Sequence, residues 1–146
     1  MTPGKDFIGV GVVFFCHDGQ GNVLMSRRSA NARNENGRWD IGGGKVELKE
    51  RVEDALHREI QEEYLTDVLE KEFLGFRDVF NLAAPGGDVE PMHWIVFDFK
   101  VLVDRAKAGN GEPHKFDDVK WFSLEKLPSP LHSQLPTFLS KYQGRL

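Results

Sequence analysis

"GGGKVELKERVEDALHREIQEEYLT", residues 42–66, decides how the rest of the chain is read. Val52, Ala55, Leu56 and Ile60 recur at helical spacing and predict a helix over residues 51–64. That helix carries Glu59, Glu62 and Glu63 close together. Like charges three and four residues apart repel by roughly 0.2 to 0.5 kcal/mol per pair, so something must compensate. At about 100° per residue the three fall in the sector of Val52, Ala55 and Leu56, and the acidic cluster continues the face that points inward. Arg58 stands four residues before Glu62 and can pair with it, but one guanidinium does not neutralise three carboxylates. Two readings follow. One is an ordinary solvated acidic face. The other is an all-oxygen site for a hard divalent ion such as Mg²⁺, which shares its coordination with waters and substrate phosphates.

Outward from this stretch, the chain reads as alternating strands and loops. Residues 6–17 predict a strand, "DGQGN" a turn and residues 23–28 a second strand, together an opening hairpin. "SANARNENG" reads as a loop leading through Trp39 to the glycine cluster. After the helix, strands are expected at 73–80 and 93–103 around the loop "LAAPGGDVEP", then a short strand "VKWFSL" beyond the polar "AKAGNGEPHKFDD". Leu131, Leu135, Phe138, Leu139 and Tyr142 form a terminal helical stripe, with Pro136 confined to its first turn. Strands on both sides of one helix, and a second helix at the end, predict an α+β fold: a mixed sheet with helices on its faces.

Composition bounds what such a fold can do. With 146 residues, 40% of them hydrophobic, the chain suits one domain spanning 1–146. A formal charge of −4 and a pI of about 5.7 argue against broad electrostatic binding of nucleic acid. Small anionic substrates fit if a metal ion supplies the positive charge. Cys16, the single cysteine, lies in an apolar run and reads as a buried structural thiol in a reducing, cytoplasmic compartment. The run "IGVGVVFFC" is too short to span a membrane and has no signal-peptide features, so no membrane partner is expected.

Spacing then separates the two readings of the glutamates. Gly44, Glu50, Arg58, Glu59, Ile60, Glu62 and Glu63 match the pattern G-x(5)-E-x(7)-R-E-U-x-E-E, where U is bulky and apolar. Six identities at fixed spacing arise by chance with a probability on the order of 10⁻⁵ over this length. The segment resembles the signature of the Nudix hydrolases, and "WDIGGGKVELKE" extends the likeness. Gly42 replaces the signature's Pro, Lys49 a Gly, Leu65 the late Gly and Thr66 the final apolar residue. The rest of the chain is similar more loosely, through "RRSA", "GEP" and "SLEKLP".

The resemblance implies a Nudix-type α/β/α sandwich and hydrolysis of nucleoside diphosphate-linked compounds with Mg²⁺ or Mn²⁺. Carried over by position, Glu59, Glu62 and Glu63 are implied metal ligands, joined by the carbonyl of Gly43. Glu50 and Arg58 are the implied supporting pair. Glu59 or Glu62 is the implied acceptor of the water proton. Arg27, Arg28, Trp39 and Gly44 are the substrate-binding candidates. Arg27 and Arg28 point to opposite faces of a strand, so one of them is expected to contribute. Trp39 either floors a base pocket or packs beside the glycines, and His93 and Trp94 either stack on a base or belong to core and surface. Glu112, Asp117 and Asp118 lie in the loop that completes the site in some relatives, and Glu47 is a supporting candidate at most. The compact chain is similar to the MutT-like branch, which implies a small-molecule nucleotide substrate, a nucleoside triphosphate cleaved to monophosphate and pyrophosphate. ADP-ribose or another nucleotide sugar is the enzymatic alternative, and a nucleotide-binding module without catalysis is the non-enzymatic one. Members are often dimers, so a homodimer is the implied assembly, although no apolar stripe in the sequence demands it.

Overall fold

The central strand explains the architecture. In the computed structural model, which describes all 146 residues, β1 (Gly9–His17) is apolar on both sides: Val12, Phe14 and Cys16 face one way, Val13 and Phe15 the other. A strand of that kind needs cover on both faces. One cover is α1 (Val52–Tyr64), which packs Ala55, Leu56, Ile60 and Tyr64 against Val12, Phe14, Cys16 and Leu24. The other is α2 (Leu135–Lys141), which brings Leu135 and Phe138 onto Phe15, Val23 and Met25, with Tyr142 just beyond its end. The result is the expected α/β/α sandwich.

Seven strands form one mixed sheet: β1, β2 (Asn22–Arg28), β3 (Trp39–Asp40), β4 (Gly43–Lys45), β5 (Val68–Ala83), β6 (Val89–Val103) and β7 (Phe116–Ser123). β1 and β6 run parallel from Gly9↔Trp94 to His17↔Leu102, and every other pairing is antiparallel. β4 lies along the other edge of β1, with Val13 opposite Gly43 and Val12 opposite Gly44.

Several expectations change in detail. The opening hairpin closes only at His17↔Val23, because β4 occupies the β1 edge further on. The glycine cluster, read as a connecting passage, supplies a strand. β5 and β6 extend almost to the tight turn at Ala84–Asp88, so Asn81 and Leu82 pair with Pro91 and Glu90 where a longer loop was expected. β7 begins at Phe116, and α2 is shorter than its stripe, with Leu131 outside it bridging Trp39 and Pro136 in its first turn. β5 also presents Leu69, Phe73, Phe76 and Phe80 to solvent, an apolar row that the sequence reading missed because register shifts break its two-residue period. Leu65 ends α1 in the left-handed conformation (φ 59°, ψ 21°) that glycine usually supplies, and its N–H still reaches Gln61 O at 3.0 Å. The departure from the signature therefore leaves the helix exit intact, at a local cost of roughly 1–2 kcal/mol. Cys16 is buried, and that burial, with Glu63's charge adding to it, pushes its thiol well above the ordinary range, as a structural cysteine requires. No helix is long and apolar enough to cross a membrane.

Candidate active site

The site grows from the contact between α1 and β4. The helix face that buries Ala55, Leu56 and Ile60 continues into Glu59 and Glu63, which are 8% and 1% exposed. Glycine at β4 makes the approach feasible. A Cβ on Gly44 would lie 2.0 Å from the Glu59 carboxyl carbon, and one on Gly43 would lie 2.8 Å from Val12 O. The Gly43 N–H donates to Glu63 Oε1 at 3.2 Å. Glu62 departs from the inward placement read from the helical period. It stands about 60° round the helix from Glu59, which carries it to the half-exposed rim, where Oε2 accepts from Arg58 Nη1 at 3.3 Å.

Arg58 fastens the helix to the segment before it. Its Nε and Nη2 donate to Glu50 at 2.7 and 2.9 Å, Nη2 also to Lys45 O at 3.0 Å, and Nη1 to Glu59 at 2.8 Å. Hydrogen bonding from Arg58 holds the Glu50 carboxyl down at about 2. The pair expected to support the site is thus in contact, with Glu47 contributing a backbone N–H to Glu50 at 3.0 Å.

Charge at the site is out of balance. Burial pushes Glu63 up to about 7, against the opposing pull of Lys115, whose Nζ donates to Oε2 at 3.1 Å; the charges of Glu59 and Glu112 push it further. Burial also raises Glu59, partly offset by Arg58, while Glu62 adds to the rise. Glu59, Glu62, Glu63 and Glu112 line one cavity together with Lys115, Lys45, Arg28 and Arg33, and Arg58 is bonded to Glu59 and Glu62; Glu63, the most deeply buried of the acids, has Lys115 as its one cationic partner. These oxygens are not gathered round a common point: Glu62 is turned to Arg58 and Glu63 to Lys115. Their chemistry fits a hard divalent cation, because buried carboxylate oxygens with too little positive charge gain most from one.

The cavity measures about 810 Å³ and runs from these acids and Gly43 to Gly44 across to Trp94, Arg77 and Phe138. Of the strand arginines, Arg28 lines it, although its guanidinium is tied to Asn34 O and Oδ1 at 2.8 and 3.2 Å. Arg27 lies outside, over the Trp39 ring and 3.9 Å from Asp117. Trp39 follows its packing alternative: it is buried edge-on to Phe122 with centroids 4.9 Å apart, away from the cavity. Trp94 reaches the cavity, whereas His93 turns to Asp78 at 3.0 Å and to Phe80. Glu112 lines the cavity, while Asp117 and Asp118 face Arg27 and Lys120 outside it.

Sequence reasoning missed Lys115, an unremarkable lysine in a polar loop whose relation to Glu63 exists only in three dimensions. It also missed Arg77 and Asp98, although the charges inside the otherwise apolar runs "LGFRDVF" (Arg77 and Asp78) and "WIVFDF" (Asp98) were a readable signal. Glu35, fully buried in the loop before β3, was missed as well; it accepts from Ser133 N–H at 2.5 Å, Ser133 Oγ at 3.0 Å and the Ala83 N–H, and so ties that loop to the β5 end and the approach to α2.

Comparison with known proteins bears on this arrangement. Residues 7–142 match the model of the NUDIX domain. The nucleoside triphosphatase NudI of Klebsiella pneumoniae (strain 342) is 33% identical over 113 residues, which span 74% of this chain and 77% of that protein. Among solved structures, a MutT NUDIX hydrolase from Burkholderia pseudomallei superposes with a TM-score of 0.78 at 28% identity, covering 93% of this chain and 98% of the other. The NUDIX domain of Shewanella oneidensis NrtR, solved in complex with ADP ribose, superposes with a TM-score of 0.69 at 22% identity over 94% of this chain and 86% of its own, a likeness of fold.

Proposed function

Since the chain belongs to the NUDIX family as a MutT-like hydrolase, we propose that it hydrolyses a nucleoside or deoxynucleoside triphosphate to the monophosphate and pyrophosphate, with Mg²⁺ or Mn²⁺ as cofactor. The observation that carries this reading is the buried, undercompensated pair Glu59 and Glu63, held against the glycines of β4. The similarity to a nucleoside triphosphatase supports the choice of substrate class.

In this reading Glu59, Glu62, Glu63 and the Gly43 carbonyl hold the cation. When bound, the ion screens the negative charge of the polyphosphate and lowers the pKa of water. Glu59 or Glu62 accepts the proton as a water oxygen bonds to phosphorus and the anhydride oxygen departs. The protein's own cations act around that centre. Lys115 and Arg28 balance phosphate charge, and Gly44, which lacks a Cβ, leaves the Glu59 carboxylate its place beside β4. Glu50 and Arg58 are positioning residues that fix the direction of α1. The buried Cys16 suits a reducing cytoplasm, and the apolar row on β5 suits a homodimer, which sedimentation would test.

Product analysis by mass spectrometry tests the assignment, using purified protein with Mg²⁺ and a panel of triphosphates, ADP-ribose and dinucleoside polyphosphates. Monophosphate plus pyrophosphate is the expected result. AMP plus ribose 5-phosphate would move the substrate to ADP-ribose. Nucleotide binding that EDTA abolishes, without turnover of any compound, would make the site one of recognition.

A further inference from the structure

Two cations hold the acids of α1, and they are held differently themselves. Arg58 is clamped, its guanidinium donating to Glu50, Glu59, Glu62 and the Lys45 carbonyl. Lys115 makes one polar side-chain contact, from Nζ to Glu63 Oε2 at 3.1 Å, and its other neighbour is the Phe116 ring, 5.2 Å away. The side chain is 35% exposed and the residue lines the cavity. The backbone beneath it is fixed. Ser29 N–H donates to Lys115 O at 2.8 Å and Ser29 Oγ to His114 O at 2.7 Å, which ties the loop to the chain just past β2. On the other side, the N–H groups of Gly109 and Gly111 donate to Tyr64 O and Glu63 O, each at 2.9 Å, and close the last turn of α1. A Cβ on Gly111 would lie 2.0 Å from Glu62 O, so only glycine lets the loop come this close. Loop and helix therefore keep their relative positions. What can move is the Lys115 side chain, a flexible four-carbon stem that ends in a compact charge.

The carboxylate that Lys115 holds is one that the metal reading needs. Glu63 Oε1 already takes the Gly43 N–H at 3.2 Å, so Oε2 is the oxygen for which cations compete. An ammonium and a divalent ion on one carboxylate oxygen stand within about 5 Å of each other on bond lengths alone, and burial keeps water from screening their repulsion. Glu63 is 1% exposed and fixed on α1, so it cannot turn away from either. The lysine stem can. A polyphosphate in the same cavity offers its ammonium new acceptors, and charge-assisted bonds to phosphate oxygens are as strong as the one given up.

We propose that Lys115 is a tethered counter-ion: its ammonium holds Glu63 Oε2 in protein without metal, yields that oxygen to the divalent ion, and turns to a phosphate oxygen of the nucleotide. The inference rests on the metal-dependent triphosphate reading above. Mn²⁺ binding to nucleotide-free protein, followed by electron paramagnetic resonance, tests it through the sign of one change. Lys115→Met keeps the stem and removes the charge, and it should tighten Mn²⁺ by about tenfold, the scale on which one adjacent charge alters a carboxylate's hold on a proton. A residue that merely orients Glu63 acts in the other direction, since losing such support weakens a metal site roughly 10- to 100-fold. Lys115→Met should also raise KM for the triphosphate severalfold. In EDTA it should melt about 2–4 °C below wild type, a gap that saturating Mg²⁺ closes. Weaker or unchanged Mn²⁺ binding, an unchanged KM, or an equal gap with and without Mg²⁺ overturns the inference. Wild-type protein gives a separate reading if the variant does not fold. Brief acetylation, read by peptide mass spectrometry, should modify Lys115 faster with Mg²⁺ than with EDTA, while Lys120, paired with Asp118 outside the cavity, keeps its rate. Equal rates at Lys115 also overturn it. If Mn²⁺ binds neither protein, the metal reading itself fails and the inference falls with it.

Discussion

Asp98 and Glu63 are both sealed from water, on opposite sides of one sheet, and they are treated in opposite ways. Asp98 receives three hydrogen bonds, two from a guanidinium that neutralises it and one from Tyr142. Glu63 receives a backbone N–H and one ammonium while other carboxylates stand nearby, and its pKa climbs to about 7. Where a carboxylate serves the architecture, donors enclose it. Where it serves chemistry, the fold leaves it short of positive charge, so that a cation brought from outside gains the difference.

The contrast can be broken from either side. The largest effect is expected for Glu63→Gln, which should lower triphosphate turnover by roughly 10² to 10³-fold in a protein that keeps its circular-dichroism spectrum; turnover within a few fold of wild type would remove Glu63 from the site. Asp98→Ala should do the reverse in kind, lowering the free energy of urea unfolding by about 3–5 kcal/mol because Arg77 is left buried without its partner. A smaller effect follows from pH. Glu63 is raised above its ordinary value of 4.5 to about 7, so between those limits the native state holds more proton than the unfolded chain. Stability of the chelated protein should therefore fall as pH rises from about 4.5 to 7, by up to about 3 kcal/mol, and the slope should flatten in Glu63→Gln. A profile as flat in the wild type as in Glu63→Gln would show that Lys115 already compensates the charge. The smallest change belongs to Arg27→Ala. Arg27 lies outside the cavity, over the Trp39 ring and 3.9 Å from a half-exposed Asp117, so turnover should stay within about twofold and stability within about 1 kcal/mol.

These two carboxylates also mark how far the sequence could be read. Glu59, Glu63, Arg58 and Glu50 sit within one helix and its approach, where fixed spacing along the chain becomes fixed geometry. The α/β/α layering was legible for a similar reason, because the helical stripes and apolar strand runs are local patterns. Lys115, Arg77, Asp98 and Tyr142 meet their partners only through strand order, which no local period encodes. Trp39 was ambiguous because an indole packs equally well in a core or a base pocket, and only its neighbour Phe122 settles the matter. The extra length of β5 and β6 was hidden by Pro91 and the polar flanks of the turn, residues that rarely mark a strand but are accommodated at its solvent-facing end.

The parallel pairing of β1 with β6 has a consequence in time. The strand at the middle of the sheet finds its longest partner more than half the chain further on, so a ribosome must release β6 before that ladder can close. Until then α1 has only β1, β2 and β4 to lean on, with Phe99, Val101 and Val103 still missing from its hydrophobic bed. Non-local closure of this kind is slow and leaves apolar strands exposed while it waits. The helix that carries the chemistry is thus made early and becomes rigid late, and its glutamates acquire their burial only when the last third of the molecule arrives.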